Sequence, residues 1–372
     1  MKKLLLVALA AFLTGVLGLI WAQRQWTGPG PAAPAGLVGE QGTQVRIPAG
    51  MSLSAAADTL VARGLLRDRR ILLLGARATG LDRGLRAGLY ELAYGQSPRD
   101  LLTDLTSGLS VQVVLTIPEG LDSNEISELV AAATGISARR FLTVADSLAR
   151  QAFGDRRLLG PSVSVASFDS LLRASSGAGG ARKFYWCEGL LAPDTYHFAE
   201  GAEPQAVATF LLETQLERLQ LAVDAGGGGP NADLAPLGLL TLASVVETEA
   251  RRDDERALIA AVYTNRLQRN WRLEADPTVA FVLDKKGERL FYKDLKVDSP
   301  YNTYRRKGLP PGPIGTPGLA SLMAAAQPDS ACEAMYFVSD GKDRHVFSRT
   351  AREHEAAVQK FRAARSRARQ GN

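Results

Sequence analysis

Residues 236–250 read PLGLLTLASVVETEA, and the fold of the larger part of the chain depends on this stretch. From Leu237 to Val246 the residues are apolar on almost every side of a helical wheel. A helix that is hydrophobic all round is normally buried. Pro236 stands where proline suits a first helical turn. The stretch therefore predicts a buried helix whose apolar run stops at Glu247.

Glu247 is the first candidate for chemistry. A carboxyl group at the end of a buried helix is partly desolvated, which disfavours its charged form and suits a general acid. A simpler interpretation is that Glu247 is the first polar residue as the helix emerges into solvent. Glu249 is a second candidate, because two residues along a helix lie about 200° apart and face different sides. The pattern alone leaves these alternatives open.

Three later segments carry side chains that could face a substrate. Asn265 lies on the inward side of an amphipathic helix, where it would need hydrogen-bond partners. Asp276 begins a turn, and its carboxylate could either cap a helix or face a substrate. Tyr301 and Tyr304 flank Asn302. Two rings beside an amide suit either an N-acetylated sugar or ordinary loop packing.

A proline-rich segment follows these candidates. Residues 308–318 read GLPPGPIGTPG. Proline fixes its own φ angle and restricts the preceding residue, so such a segment is stiff. We expect this loop to brace one wall of the site.

The first half of the chain alternates between strand-like and helix-like patterns. Turn residues separate the segments, and apolar residues recur at periods of two or 3.6. This pattern predicts a mixture of strands and helices rather than an all-helical or all-strand domain. We predict strands over residues 45–47, 88–92 and 111–117, and helices over residues 52–63, 70–79, 98–106 and 124–133.

The N-terminus has the composition of a membrane anchor. Residues 4–22 carry no charge and follow Lys2 and Lys3. As a helix they would span roughly 28 Å, close to the roughly 30 Å of a bilayer core. A cleaved signal peptide is the alternative, but Ile20 stands where a small residue would precede the cleavage site. We expect residues 1–25 to be a cytoplasmic tip and anchor, and residues 26–44 to be a Gly/Pro linker.

Several kinds of function are disfavoured by composition. The three histidines are scattered along the 372 residues, and two cysteines cannot form a metal site, so we expect no metal and no cofactor. No G-x-S-x-G nucleophile motif is present. The net charge of +5 is modest, and an exported chain would not meet nucleic acid. Cys187 and Cys332 could pair or remain separate thiols.

Seven segments of the chain form an ordered set. They are EGLLAPDTY at 188–196, LASVVE at 242–247, NRL at 265–267, DPTV at 276–279, YNTY at 301–304, GLPPGPI at 308–314, and YFV at 336–338 with HVFS at 345–348. Taken in this order, they resemble the endolytic murein transglycosylase (YceG-like) family, over about residues 110–360. One departure is Glu274, which stands where that family leads us to expect glutamine.

The resemblance implies an α+β protein with a single N-terminal transmembrane helix, a small LysM-like domain over residues 45–109 and a larger catalytic domain over residues 110–372. It selects Glu247 over Glu249 as the catalytic residue. Substrate contacts would come from Asn265, Asp276, Tyr301, Asn302 and Tyr304.

The same resemblance implies a reaction and a location. The enzyme would cleave the β-1,4 bond between N-acetylmuramic acid and N-acetylglucosamine in nascent peptidoglycan strands, leaving 1,6-anhydro ends. It would sit in the plasma (inner) membrane, with its N-terminus cytoplasmic and its catalytic domain outside. Peptidoglycan synthases and the elongation or division machinery would be its protein partners. Two alternatives remain: a lysozyme-like hydrolase using Glu247 with Asp276 and water, or a non-catalytic glycan-binding scaffold.

Overall fold

The computed structural model of the chain contains twelve α-helices and six strands with assigned bounds in the part that it describes. That part comprises Thr14, Gly18 and residues 20–33, 42–48, 50–81, 84–86, 88–107, 112–155, 158–159, 165–177, 183–199 and 202–370. The strands are β1 (Gly42–Ile47), β2 (Gly88–Ala93), β3 (Gln112–Ile117), β4 (Asp194–Ala199), β5 (Tyr336–Ser339) and β6 (His345–Ser348). The helices are α1 (Leu53–Ala62), α2 (Arg69–Thr79), α3 (Pro98–Ser107), α4 (Ser123–Thr134), α5 (Ala138–Asp155), α6 (Val165–Gly177), α7 (Pro204–Ala225), α8 (Pro236–Glu249), α9 (Arg256–Gln268), α10 (Asp276–Leu283), α11 (Leu319–Ala326) and α12 (Ala351–Gln370).

Two small sheets are present among the described residues. The larger has the strand order β1-β2-β4-β3, with β1 antiparallel to β2 and β2 parallel to β4. The smaller is the antiparallel pair of β5 and β6. All seven elements predicted from the first half of the chain are confirmed, each within a few residues of its expected ends. The expected mixture of helices and small sheets is therefore correct.

The chain forms two compact units. The first comprises residues 1–115, 133–135 and 195–210. Its core is built where β1 and β2 pair and α1, α2 and α3 cover them, with Val45, Leu60 and Leu72 fully buried. Ser52 caps α1 by accepting a hydrogen bond from the Ala55 N–H at 3.2 Å.

The start of the chain is described only in part. Residues 20–27 are helical, and most of the predicted anchor over residues 4–22 lies outside the described residues. No helix in the described part is both long and apolar enough to cross a membrane. Residues 29–33 form neither helix nor strand. The Gly30 N–H donates to the Gly95 carbonyl at 3.0 Å, and the Gly95 N–H donates to the Pro31 carbonyl at 2.8 Å, so Gly30 and Pro31 are bonded to the turn after β2.

The second unit comprises residues 116–132, 136–194 and 211–372, and α8 lies at its centre. Every residue of α8 from Leu239 to Glu247 is buried, which confirms the helix predicted from residues 236–250. The helix packs against α9, α10 and α11. Pro236 occupies its first turn, as expected. This packing leaves the C-terminal turn of α8, with Glu247, at the edge of the core.

Candidate active site

Glu247 is held by two hydrogen-bond donors. Its Oε1 accepts a bond from Arg256 Nη1 at 2.7 Å, and its Oε2 accepts a bond from the Gly318 N–H at 2.9 Å. Only 6% of the side chain is exposed. Each carboxylate oxygen has two lone pairs, so each keeps one for a proton or a substrate hydroxyl. The carboxyl group is therefore fixed in orientation while remaining able to exchange a proton.

Arg256 connects several groups around Glu247. The same Nη1 donates to Ser321 Oγ at 2.6 Å, and Nε donates to Asp253 Oδ1 at 3.0 Å. A second carboxylate, Glu119, has its Oε2 3.8 Å from Arg256 Nη2. Sequence reasoning missed Arg256, which opens α9 at the end of the charged stretch 251–256. The position of that stretch just after the buried glutamate was the available signal.

Several groups act on a charged carboxylate at position 247. Desolvation disfavours the charged form, and the C-terminal end of α8 adds a negative potential that does the same. Arg256 and the Gly318 N–H oppose both effects, because each stabilises the charged carboxylate. The site is thus arranged to stabilise negative charge on Glu247.

The proline-rich loop forms one wall beside Glu247, as predicted. The Ile314 N–H donates to Ser244 Oγ on α8 at 3.1 Å, and Gly318 provides the N–H that reaches Glu247. Gly120 has a φ of +77° and closes the opposite side, since a Cβ built there would lie 3.8 Å from Glu247 Cγ. The backbones of the two segments pair where the Gly120 N–H donates to the Thr316 carbonyl at 2.8 Å.

A groove of about 1270 Å³ opens in front of Glu247. Burial and the charge of Glu247 raise the pKa of Glu119 at its edge, and the Arg256 guanidinium partly offsets this. Lys286, on the other side, lies 2.9 Å from Asp122 Oδ2 and 2.5 Å from Glu125 Oε2. The charged residues that line the groove are Glu119, Glu125, Glu247, Glu249, Asp276 and Glu288, together with Arg251, Lys286, Arg289 and Arg362.

Two of the predicted substrate contacts lie at this groove or beside it. Asp276 lines the groove and also a smaller cavity of about 420 Å³. Tyr304 lines the smaller cavity, and its hydroxyl donates to Asp276 Oδ1 at 2.6 Å. Burial and the neighbouring Asp276 carboxylate raise the pKa of Tyr304, so its hydroxyl stays a donor. Glu274, the departure from the family pattern, is exposed and lines the smaller cavity too.

The other three predicted contacts have structural roles and line neither of these two cavities. Asn265 donates to the carbonyls of Cys332 and Ala334 at 2.9 and 3.0 Å. Tyr301 is 1% exposed and stacks on Phe184 with ring centroids 4.6 Å apart.

Asn302 is fully buried, and its amide holds a loop together. Its Nδ2 donates to the carbonyls of Leu295 and Val297 at 3.0 and 2.7 Å, and its Oδ1 accepts the Tyr304 N–H. The structure therefore gives Asn265, Tyr301 and Asn302 roles in packing and loop closure, and none of the three is among the residues that line the groove or the smaller cavity.

Glu249 has a different environment from Glu247. Its Oε1 accepts a bond from the Tyr263 hydroxyl at 2.9 Å. Burial raises the pKa of Glu249 to about 7, and the Asp276 charge adds to the rise while Tyr263 and Arg266 oppose it. Glu249 lines both the groove and the smaller cavity. Two glutamates two positions apart therefore differ in their partners, because only Glu247 has a cation bound directly to its carboxylate.

The raised pKa of Glu249 predicts a pH-dependent stability. In the folded protein the pKa is about 7, above the ordinary value of 4.5. The protonated group therefore stabilises the fold fully below the unfolded pKa, and this stabilisation is lost as the pH rises through the folded pKa. The variant Glu249→Gln lacks this titration. Relative to it, the wild type should lose about 2 kcal/mol of its free energy of unfolding between about pH 5 and about pH 8. Urea unfolding of both proteins measures this, and parallel pH profiles would contradict it.

The two cysteines remain separate. Cys187 is buried and Cys332 is partly buried, and both are free thiols. Burial raises the pKa of the Cys187 thiol well above its usual range, which makes it unreactive.

Comparison with known proteins gives consistent matches. The model of the YceG-like family matches residues 45–360. An endolytic murein transglycosylase of Bacillus subtilis is 29% identical over 324 residues, which are 85% of this chain and 84% of that protein. One from Streptococcus pneumoniae R6 is 30% identical over 315 residues, which are 82% of this chain and 55% of that longer protein. The crystal structure of a yceG-like protein from Listeria monocytogenes aligns with a TM-score of 0.54 and 27% identity, over 85% of this chain and 98% of that one.

Proposed function

This chain belongs to the YceG-like family, and from that premise we propose that it is a peptidoglycan lytic transglycosylase with Glu247 as its catalytic acid and base. The curated relatives it matches are named endolytic murein transglycosylases. The observation that carries the residue assignment is the carboxyl of Glu247, oriented by Arg256 and Gly318 at the wall of a large groove. A groove of this size accommodates several sugar rings.

In the first step Glu247 acts as an acid. It donates its proton to the glycosidic oxygen that leaves C1 of N-acetylmuramic acid, and the C1–O bond breaks. Negative charge develops on Glu247 during this transfer, and Arg256 with the Gly318 N–H is already directed at it. Donors positioned in advance where charge develops are a large source of rate acceleration.

In the second step Glu247 acts as a base. The carboxylate takes the proton from the muramic O6 hydroxyl, and O6 forms a bond to C1, which gives a 1,6-anhydro end. No water is consumed, and the proton lost in the first step is recovered. Because the nucleophile belongs to the substrate, its effective concentration is high and no second carboxylate has to position it.

A lysozyme-like hydrolase is the alternative favoured by one observation, which is that Asp276 lines the same groove as Glu247. Paired carboxylates can activate water for glycoside hydrolysis. Digestion of purified glycan strands followed by mass spectrometry of the product ends distinguishes the two reactions. We expect 1,6-anhydro ends throughout. Reducing ends would replace the lyase proposal with the hydrolase, and an absence of cleavage would favour a non-catalytic glycan-binding scaffold.

The location and domain roles extend the same proposal. Residues 4–22 anchor the chain in the plasma membrane with the N-terminus in the cytoplasm, and the uncharged composition of that segment supports this. Residues 45–109 act as a LysM-like module, supported by the strand–helix–helix–strand order of β1, α1, α2 and β2. The enzyme then trims nascent strands beside the membrane, near the peptidoglycan synthases.

A further inference from the structure

Two aromatic side chains project from the segment that follows α10. We call residues 285–296 the aromatic-basic loop. Phe291 is 52% exposed and Tyr292 is 76% exposed. Exposed apolar residues are common singly, but adjacent exposed rings form a patch that favours a partner.

The loop is held in shape from within. The buried Asp294 accepts a bond from the Phe291 N–H at 2.9 Å and another from Lys285 Nζ at 3.1 Å. The end of the loop is fixed by Asn302, whose Nδ2 donates to the Leu295 carbonyl. Phe291 and Tyr292 are therefore displayed on a constrained tip instead of being exposed by local fraying.

Positive charge surrounds the two rings. The Arg289 guanidinium lies 5.5 Å from the Phe291 ring centroid, and Lys296 Nζ lies 4.7 Å from that of Tyr292. Lys293 is exposed as well. The neighbouring segment 305–307 adds three exposed cations, and Arg305 Nη1 donates to the Lys296 carbonyl at 2.9 Å. From 288 to 307 the sequence has six cationic and three acidic residues.

We propose that the aromatic-basic loop and residues 305–307 form a docking surface for an anionic phospholipid membrane. Aromatic side chains are favoured at the membrane interface, and nearby lysine and arginine residues are attracted to anionic headgroups. A neutral glycan is a poorer match, because it offers no negative charge to these cations, and a cation already lies over one face of each ring. The start of the loop also lines the groove in front of Glu247, but Phe291, Tyr292, Lys293 and residues 305–307 do not line it.

Amide hydrogen exchange of the full chain, reconstituted in vesicles, tests the proposal. One vesicle type contains phosphatidylcholine alone, and the other contains equal amounts of phosphatidylcholine and phosphatidylglycerol. We expect the amides of residues 289–293 to exchange several-fold more slowly in the anionic vesicles only. Salt should weaken this protection because it screens headgroup attraction.

Matched variants make the result specific. Phe291→Ser with Tyr292→Ser, and separately Lys293→Gln with Lys307→Gln, should each remove the protection. Lys342→Gln with Lys360→Gln removes two exposed cations elsewhere in the chain and should leave it intact. Exchange in α8 reports whether each variant is folded. Equal protection in both vesicle types would overturn the proposal. Protection by purified glycan strands but not by anionic vesicles would overturn it in favour of a sugar subsite.

Discussion

Replacing Glu247 by glutamine is expected to lower the rate of glycan cleavage about 1000-fold, because one side chain serves both proton transfers. Glutamine has nearly the shape of glutamate, and its carbonyl oxygen can keep one of the two bonds that Glu247 accepts. It cannot donate a proton to the leaving oxygen or take one from O6. The loss should therefore appear in kcat more than in KM.

Glu249→Gln is the matched control for this measurement. The two positions lie on the same helix end and line the same groove, and sequence pattern alone could not choose between them. We expect Glu249→Gln to keep cleavage within about tenfold of the wild type, which is below the usual range for losing an acid or base. Product release from purified strands is measured for both variants. A larger loss in Glu249→Gln than in Glu247→Gln would move the catalytic assignment to Glu249.

The buried helix and the stiff loop were predictable from sequence because each depends on local physics. An almost wholly apolar run from Leu237 to Val246 can only be satisfied inside a core, and prolines restrict residues 308–318 wherever they lie. When the loop packs against α8, the Gly318 N–H reaches Glu247.

The partners of the site were not predictable in the same way, because they come together only through tertiary packing. Glu119 is 128 positions from Glu247, and nothing in its local turn sequence indicates that it lies beside Glu247. Tyr301 and Asn302 are the opposite case, because the structure gives them packing and loop contacts away from the groove. Aromatic and amide groups suit sugar binding and loop closure equally well, and only burial separates the two roles.

Loss of Arg256 should have the second largest effect, on activity and on stability together. Arg256→Met keeps much of the side-chain volume but leaves Glu247 buried without its cation. Breaking one partner of a buried pair costs about 3 kcal/mol, and removing a donor at a developing charge lowers kcat by about 100-fold. Because the stranded carboxyl can escape this cost by taking up a proton, the destabilisation should grow as the pH rises.

Further variants separate this role from general damage to the fold. Arg256→Lys keeps the charge and should recover part of the activity. In the double variant Arg256→Met with Glu247→Gln neither member of the buried pair is charged, so it should be more stable at about pH 8 than Arg256→Met alone, by about 1–2 kcal/mol.

Asp253→Asn removes an exposed partner of Arg256 and should change little, since the Asp253 side chain is 89% exposed. If Asp253→Asn reduced cleavage as strongly as Arg256→Met, the effect would belong to the orientation of α9 rather than to the charge beside Glu247. Unfolding and cleavage profiles across the pH range, compared among these four variants, distinguish the two explanations.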